Sequence, residues 1–324
     1  MSDAYVDQLC YALGEIKRDL GETVAAGGTF SGERELHEAG FRCHRVCGPE
    51  TTAYDLARRA VEGIADRVGV IDAIIYSTCI PLNGNVGDAA AFERSRDVKH
   101  LMQYPASRLQ ADFGLDRAIV IGLNQQACTG MLGSLRLARS LLHSEPDFQR
   151  ILCVTADRFP QGAVYEQAYN LISDGAAGCV VSRRPGRFRL LAAHQTTNGA
   201  MVETSDDQVV GSYFSYTHGA IMRTLDRAGL TPAEIDWVVP QNTNVKAWQI
   251  MARLLRVDPG RVYFPSMAEA AHVISGDNII NLRSLAGDEA LQPGHKILLV
   301  MAGYGMNWQC TILEATETDR TSPP

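Results

Sequence analysis

The stretch Arg117–Ser144 reads RAIVIGLNQQACTGMLGSLRLARSLLHS, and two structural patterns meet in it at a cysteine. Residues 118–123 form a short, mostly apolar run, which predicts a strand buried on both faces. Residues 131–142 place apolar side chains at helical spacing, which predicts a mostly buried helix. Cys128 lies between them, where the positive end of the helix favours thiolate over thiol. The junction predicts an activated nucleophile, although a buried structural cysteine is the commoner role of an unpaired cysteine.

The composition is that of an ordinary globular protein. Apolar residues make up 46% and charged residues 21% of the 324 positions, and the formal net charge is −7. This charge argues against a general nucleic-acid binder. No apolar run approaches the roughly 20 residues that span a membrane, and the N-terminal residues lack the apolar core of a signal peptide. Eight cysteines spread along the chain indicate reduced thiols, so we expect a cytoplasmic protein.

Metal and nucleotide motifs are weak in this sequence. Cys43 and Cys47 have the spacing C-x-x-x-C within CHRVC, but no second ligand pair accompanies them. We therefore expect no zinc site. No G-x-G-x-x-G follows a predicted strand, which argues against a dinucleotide site.

Two pairs of segments repeat along the chain. The pattern of Ile71–Tyr76 recurs at Ile235–Pro240, and that of Arg150–Asp157 recurs at Lys296–Gly303. A helix-rich segment lies between the first and the second strand of each set. Strands this apolar are covered by helices on their faces. The sequence therefore predicts an α/β unit that occurs twice.

The turn RRPG at residues 183–186 marks the joint between the two units. We expect an N-terminal half at residues 1–183, which carries Cys128, and a C-terminal half at residues 184–324. Residues 81–105 are polar and irregular, and we expect them to form a loop insertion over the sheet. Such loops often carry specificity, so this insertion and the stretch around residues 200–210 are expected to decide the substrates.

These features resemble the thiolase superfamily, and more closely β-ketoacyl-acyl-carrier-protein synthase III and its acyltransferase relatives. Four motifs carry the resemblance in order along the chain: QACTG at 126–130, SDGAAG at 173–178, WVVPQNTNVK at 237–246 and AGYGMNW at 302–308. The resemblance implies an α/β thiolase fold, in which two duplicated βαβαβαββ halves form a five-layer αβαβα sandwich. It also implies a homodimer, a substrate that is acyl-CoA or acyl-phosphopantetheine on acyl carrier protein, and no permanently bound cofactor.

The departures from the family pattern concern the groups around the nucleophile. Gln241 stands where a synthase III has its catalytic histidine, and His272 stands where that family has its catalytic asparagine. An amide followed by a histidine is similar to the layout of true thiolases. Ala302, however, stands where thiolases have a second cysteine. The chain thus keeps the means to load an acyl group but lacks part of the equipment for forming carbon–carbon bonds.

The resemblance assigns roles to the residues near Cys128, which would attack an acyl thioester. His272, in the C-terminal half, is the candidate base. Asp277 either orients the imidazole as the third member of a triad or caps the helix expected from residue 278. Gln241, Asn242 and Asn244 are candidate neutral donors near the same site; an amide can hold a carbonyl but cannot move a proton near neutral pH.

Backbone and surface groups complete the predicted site. The resemblance places an oxyanion hole at the N–H groups of Cys128 and Tyr304, the latter within the turn Gly303–Gly305. Lys246 falls where the family has a basic residue near the tunnel for the phosphopantetheine arm, and Arg253 lies on the same helix face. Both are candidates for binding the carrier or coenzyme A, and a solvated helix face is the alternative.

The sequence therefore favours an acyltransferase that loads Cys128 and passes the acyl group to an oxygen or nitrogen nucleophile of a small molecule, in specialised metabolism. The first alternative is decarboxylative condensation of the synthase III type, which would use Asn244, Gln241 and His272. A thioester hydrolase and a non-catalytic ketosynthase partner are further alternatives. Retention of both Cys128 and His272 argues against the non-catalytic partner.

Overall fold

The computed structural model describes residues 3–167, 170–204, 206–304 and 306–317, with only the backbone described for residues 206–210. Within these residues the strands are β1 (Tyr5–Leu13), β2 (Ile16–Asp19), β3 (Cys43–Val46), β4 (Ala73–Ser77), β5 (Ile119–Leu123), β6 (Arg150–Asp157), β7 (Glu166–Gln167), β8 (Asn170–Leu171), β9 (Gly175–Ser182), β10 (Phe188–Thr197), β11 (Trp237–Pro240), β12 (Lys296–Gly303) and β13 (Asn307–Ala315). The helices are α1 (Leu20–Ala25), α2 (Glu33–Ala39), α3 (Ala53–Glu62), α4 (Ala65–Val68), α5 (Ala89–Ser95), α6 (Pro105–Asp112), α7 (Gly130–Ser144), α8 (Asp206–Ala228), α9 (Val245–Leu255), α10 (Met267–Ala270) and α11 (Asp277–Ala286).

Nine strands form one mixed sheet in the order β11-β12-β13-β10-β1-β9-β6-β4-β5. The two ends of this sheet repeat one arrangement. At one end β4 runs parallel to β6, β9 antiparallel to β6, and β1 antiparallel to β9. At the other end β11 runs parallel to β12, β13 antiparallel to β12, and β10 antiparallel to β13. The ends join at β1 and β10.

An aspartate with the same role precedes the equivalent strand at each end of the sheet. Asp72, just before β4, accepts hydrogen bonds from the N–H groups of Gln149 and Arg150 at 2.7 and 2.9 Å. Asp236, just before β11, accepts one from the N–H of Lys296 at 2.7 Å. Each carboxylate thus ties the start of one strand to the start of its parallel neighbour. The repeated segments of the sequence therefore correspond in structure down to individual hydrogen bonds.

Three apolar clusters lie between the helix layers and the strand layers of the molecule. In the first, α3 and α6 pack on one face of the β1-β9-β6-β4 strands. In the second, α7 and α11 lie between these strands and those of the other end of the sheet. In the third, α8 and α9 cover the outer face of β11, β12 and β13. This α/β arrangement has the alternating helix and strand layers that the resemblance implied.

Two local expectations were wrong. We expected residues 118–123 to form a strand buried on both faces, but β5 is the edge strand of the sheet. Ile119 and Val120 are 50% and 39% exposed, and successive strand residues point to opposite faces, so neither face is fully covered. The segment 81–105, expected to be irregular, contains α5, two short three-ten turns and the first residue of α6.

Residues 183–186 lie in the connection between β9, which ends at Ser182, and β10, which begins at Phe188. The division into halves 1–183 and 184–324 stays a prediction. Among the described residues, no helix combines the length and the apolarity that crossing a membrane requires.

Candidate active site

Cys128 lies on a strained turn at the start of the central helix α7. After β5 the chain makes a three-ten turn, Ala127–Thr129, that leads directly into the helix. Ala127 has φ of +45°, a left-handed conformation that is uncommon for residues other than glycine. Its carbonyl accepts a hydrogen bond from Ser275 Oγ at 3.1 Å. Strain of this kind persists only where the surroundings enforce it, and it marks functional turns.

A second strained turn holds His272 in front of the other central helix, α11. Ala271 and Ile274, on either side of it, have φ of +51° and +49°, and a β-branched residue such as Ile274 rarely adopts such a value. The His272 N–H donates to the carbonyl of Leu171 at 2.9 Å, and its own carbonyl accepts from the N–H of Ser173 at 2.9 Å. The backbone of the histidine is therefore fixed against β8.

The Asp277 carboxylate orients the imidazole. Its Oδ2 lies 2.5 Å from His272 Nδ1 and accepts the N–H of Asn242 at 2.7 Å, while Oδ1 accepts the N–H of Val273 at 2.6 Å. Helix α11 begins at Asp277 itself, after Gly276, and no side chain caps it. Of the two readings left open by the sequence, the geometry matches the orienting carboxylate and not the helix cap.

The charges around His272 favour an ion pair between its imidazole and the sulfur of Cys128. Burial works against a charged imidazole, but the Asp277 carboxylate and the neighbouring Cys128 raise the pKa of His272 to about 10. A hydrogen bond from Cys79, opposed by burial, and then the hydrogen bond and charge of His272 bring the pKa of Cys128 well below its usual value of 9.0. Both shifts favour a thiolate paired with an imidazolium near neutral pH. Because Nδ1 is bonded to Asp277, the ring meets Cys128 through its other edge, where Nε2 lies.

Cys79 is a member of the site that the sequence reasoning missed. It follows β4, lines the same cavity as Cys128 and packs against the same apolar cluster. Its N–H donates to both oxygens of the Asp157 carboxylate, at 3.0 and 2.9 Å. The signal was available, because β4 and β5 are parallel neighbours. Residues just beyond the carboxyl ends of parallel strands meet at one edge of the sheet, where ligands bind.

The three candidate amides have different surroundings. Gln241 lines the cavity described below, and its Oε1 accepts the N–H of Ala302 at 2.6 Å. Asn244 also lines that cavity, and its Oδ1 caps α9 by accepting the N–H of Lys246 at 2.9 Å. Asn242 was expected near the reacting atoms, and this was wrong for its side chain: Nδ2 donates to Ser266 Oγ and to the carbonyl of Ala271 at 2.9 and 2.7 Å, while Oδ1 accepts from Asn281. Asn242 supports the turn before His272.

The turn expected to complete an oxyanion hole lies against the nucleophile. A Cβ atom added to Gly303 would lie 3.0 Å from the backbone nitrogen of Cys128 and 3.1 Å from the carbonyl oxygen of Gln126. Only glycine allows such a close approach of two backbones. Tyr304 follows at the edge of the cavity; Gly305 lies outside the described residues.

A cavity of about 810 Å³ opens onto these groups. Its walls are mainly apolar, as is usual for a substrate site, and polar side chains that include Gln241, Asn244 and His272 also line it. Its apolar lining comes from both halves of the chain and includes Ile80, Phe159, Ile172, Ile274, Phe214 and Ile250. Cys79, Cys128 and His272 all face it.

The two candidate basic residues differ in position. Lys246 contributes to the cavity lining, is exposed, and lies 3.3 Å from Glu38. Arg253 is exposed on the last turn of the same helix, about 10 Å along its axis, and does not line the cavity. Lys246 is therefore placed at the rim, and Arg253 on the surface beyond it.

Side chains of the CHRVC segment make hydrogen bonds to other parts of the protein. Cys43 Sγ donates to the carbonyl of Glu269 at 3.2 Å, and His44 lies within 2.8 Å of both Thr23 Oγ1 and the carbonyl of Ile172. Across the described ranges, no three His, Cys, Asp or Glu side chains are grouped so that they could hold a metal ion.

Comparison with known proteins identifies the family of this chain. Residues 124–199 match the family described as 3-oxoacyl-acyl-carrier-protein (ACP) synthase III, and residues 225–315 match the C-terminal part of the same family. The β-ketoacyl-acyl-carrier-protein synthase III of Chlamydia caviae is 24% identical over 320 residues, covering 89% of this chain and 90% of the relative.

Solved structures share the fold over nearly the whole chain. A structure named as the acyltransferase ChlB3 superposes with a TM-score of 0.81 at 19% identity, covering 99% of this chain and 100% of that one. The synthase III of Pseudomonas aeruginosa superposes with a TM-score of 0.77 at 19% identity, covering 97% and 99% of the two chains. The chain is thus a transferase enzyme of the thiolase superfamily, belonging to its β-ketoacyl-acyl-carrier-protein synthase III-like members.

Proposed function

We propose that this protein is an acyltransferase in which Cys128 takes an acyl group from a thioester of acyl carrier protein or coenzyme A. The group then passes to an oxygen or nitrogen nucleophile of a small molecule, in specialised metabolism in the cytoplasm. The observation that carries the proposal is the 2.5 Å contact between His272 Nδ1 and the buried Asp277 carboxylate, beside Cys128. This is the arrangement of a nucleophile, a base and a group that orients the base.

Loading begins from the thiolate–imidazolium pair. The Cys128 sulfur attacks the thioester carbon, and the oxygen of that carbonyl becomes negative. The N–H groups of Cys128 and Tyr304 are the proposed donors to this oxygen. When the intermediate collapses, the pantetheine sulfur leaves and takes the proton from His272 Nε2. Asp277 remains ionised throughout and keeps the ring in place.

Transfer runs through the same groups in reverse. The neutral imidazole takes the proton of an acceptor hydroxyl or amine as that atom attacks the acyl group on Cys128. Breaking of the carbon–sulfur bond restores the Cys128 thiolate, and His272 is again protonated. A base strengthened by a buried carboxylate suits an acceptor that has a proton to lose.

Decarboxylative condensation is the competing function, because the curated relatives bear the name of β-ketoacyl synthases. That reaction needs neutral donors around an enolate oxygen more than it needs a base. Here the side chain of Asn242 is bonded elsewhere. Gln241 and Asn244 use only their amide oxygens, as acceptors from the N–H groups of Ala302 and Lys246, so these bonds do not occupy their NH2 groups. The oriented base, His272 held by the Asp277 carboxylate, is the feature that favours acyl transfer over condensation.

The same surfaces suggest how substrate and partner bind. The apolar cavity suits an acyl chain together with the thin pantetheine arm, and Lys246 at its rim suits the phosphate of coenzyme A or an acidic carrier protein. Arg253 would extend this basic contact along α9. The exposed apolar edge strand β5 suits pairing with a second copy of the chain, so we expect a homodimer.

Intact-protein mass spectrometry tests the proposal. The protein is mixed with a panel of acyl-coenzyme A thioesters, and malonyl-coenzyme A is then added. We expect a persistent acyl adduct that malonyl thioester does not discharge. Discharge with release of carbon dioxide would instead establish condensation. A spontaneous return to free enzyme at a catalytic rate would indicate hydrolysis, and the absence of any adduct would indicate a non-catalytic partner.

Three variants assign the roles. Cys128→Ala should form no adduct, and His272→Ala should form it slowly. Gln241→Ala should load at close to the wild-type rate, because an amide moves no proton in this scheme. Loss of loading in Gln241→Ala with normal loading in His272→Ala would reverse the assignment of the base.

A further inference from the structure

Cys79 places a second thiol directly at the nucleophile. Cys79 and Cys128 pack against the same small apolar cluster, formed by Phe159, Ile172 and Ile274. Both line the same cavity, so the two side chains are neighbours. The two thiols come from the segments that follow the neighbouring parallel strands β4 and β5.

The loop that carries Cys79 is fixed by one buried carboxylate. Besides the N–H of Cys79, Asp157 Oδ1 accepts the N–H of Ile80 at 3.0 Å, Thr78 Oγ1 at 2.6 Å and Asn83 Nδ2 at 3.1 Å. Asp157 is only 2% exposed. A loop held by this many hydrogen bonds presents its thiol without a large loss of conformational entropy at each turnover.

The surrounding charges decide which thiol keeps its proton. Cys79 lies near Asp157 and beside the Cys128 sulfur, so a proton lost from Cys79 would leave negative charges close together. Hydrogen bonding to Cys128, burial and these charges raise the pKa of Cys79 strongly. Cys128 instead faces the imidazolium of His272, with Asp277 behind it. These charges favour a protonated Cys79 beside an ionised Cys128.

We propose that Cys79 is a second catalytic thiol, which donates a hydrogen bond to the Cys128 thiolate and stays protonated throughout the cycle. This rests on Cys128 being the nucleophile of the proposed function. When Cys128 forms its bond to the acyl carbon, the sulfur loses its charge and the hydrogen bond weakens. When the acyl group leaves for the acceptor, the departing thiolate regains that bond. The Cys79 proton is never transferred; His272 carries the proton that moves.

A hydrogen bond from Cys79 should affect the loading of Cys128 and the transfer of the acyl group to the acceptor differently. A hydrogen bond to the thiolate increases the fraction that is ionised but lowers the nucleophilicity of the sulfur. Loading near neutral pH is therefore little changed by Cys79. The second half-reaction gains, because a stabilised thiolate is a better leaving group. Because it stays protonated, Cys79 does not itself take the acyl group.

Alkylation of Cys128 by iodoacetamide as a function of pH, followed by intact mass, tests the hydrogen bond without any substrate. In Cys79→Ala the midpoint of alkylation should rise by about one to two pH units. Cys79→Ser retains a donor and should restore much of the shift. Cys47→Ala is the matched control, since Cys47 is also a half-buried thiol beside a buried carboxylate, Asp174. Its removal should leave the midpoint unchanged.

Phenylarsine oxide tests the proximity of the thiols in the unaltered protein. It binds two adjacent thiols through its arsenic atom and releases one water. The wild-type protein should bind one equivalent and become resistant to iodoacetamide at Cys128, while Cys79→Ser should do neither stably. This measurement holds even if Cys79→Ala does not fold.

The outcomes separate this inference from the proposed function. An unchanged alkylation midpoint in the Cys79 variants, or failure of the arsenical to bridge the wild-type thiols, overturns the role of Cys79 and leaves acyl transfer standing. Failure of Cys128 to load any acyl thioester, together with a shifted midpoint, overturns the function and leaves the thiol pair standing. Transfer from the loaded Cys79→Ala enzyme should be slowed about 10-fold or more, and loading less.

Discussion

Replacing Asp277 with asparagine should disable the base while preserving the shape of the site. In the wild-type protein, loading requires a Cys128 thiolate and a His272 imidazolium, so its rate should decline as the pH rises through the His272 pKa of about 10. Without the Asp277 carboxylate, less negative charge offsets the cost of burying a protonated His272 ring. The pKa of His272 should fall towards its ordinary value of 6.5 or below, and the alkaline decline should move down with it.

The size of the effect follows from the geometry. The carboxylate is the partner of His272 Nδ1 at 2.5 Å, and both side chains are almost wholly buried. Loss of a general acid–base group oriented in this way costs about 10²- to 10⁴-fold in rate, or roughly 3–5 kcal/mol. The amide also cannot accept from all three donors now bonded to Asp277. We therefore expect a loss of unfolding free energy of about 1–3 kcal/mol.

Loading is measured by quenched mixing with acyl-coenzyme A and intact mass, from pH 5 to pH 11. Asp72→Asn is the matched control, because Asp72 is a buried carboxylate that accepts backbone N–H groups far from the cavity. It should lower stability without changing the pH profile. A folded Asp277→Asn protein that loads at the wild-type rate, with its alkaline decline still near pH 10, would refute the orienting role of Asp277.

Three further changes test other parts of the site. Gly303→Ala should slow loading about 10- to 10³-fold by pushing the turn away from the nucleophile, whereas Gly219→Ala on α8, where a Cβ meets open space, should load normally. Ile119→Glu on the exposed edge of β5 should convert a dimer into a monomer in sedimentation, while Leu254→Glu, equally exposed on α9, should remain dimeric; equal masses for both would contradict pairing through β5. Lys246→Glu should weaken loading from acyl carrier protein more than loading from coenzyme A, with a difference that shrinks in high salt; equal loss from both donors would place Lys246 outside the carrier interface.

Most of the fold was predictable because it depends on local patterns. The apolar segment Arg150–Asp157 is β6 without a change of boundary, and Lys296–Gly303 is β12 likewise. Strand β5 was misjudged because its side chains are as apolar as those of a central strand. An apolar pattern indicates that a strand face is buried. It does not indicate whether the face is buried by the same chain or by another one.

The site was predictable where a motif existed and obscure where contacts come from long range. Cys128 and His272 were found because each lies in a recognisable segment before a helix. The use of the Asn242 side chain to support a turn could not be read from its motif, since its partners Ser266, Ala271 and Asn281 lie between 24 and 39 residues away. Cys79 belongs to no motif, and only the pairing of β4 with β5 brings it to the nucleophile.

The two strained turns have a bearing on the history of the chain. Ala127 and Ile274 each stand three residues before a central helix, each begins a three-ten turn, and each has a positive φ. The same costly conformation thus recurs at matching points of the two repeats, as a common origin of the two turns would predict. The two turns have different roles in the proposed function: one carries the sulfur, and the other aligns the residues that hold the proton. Neither repeat retains a full set, so the halves are bound to evolve together, and a half exchanged with a relative must bring a turn that fits its counterpart.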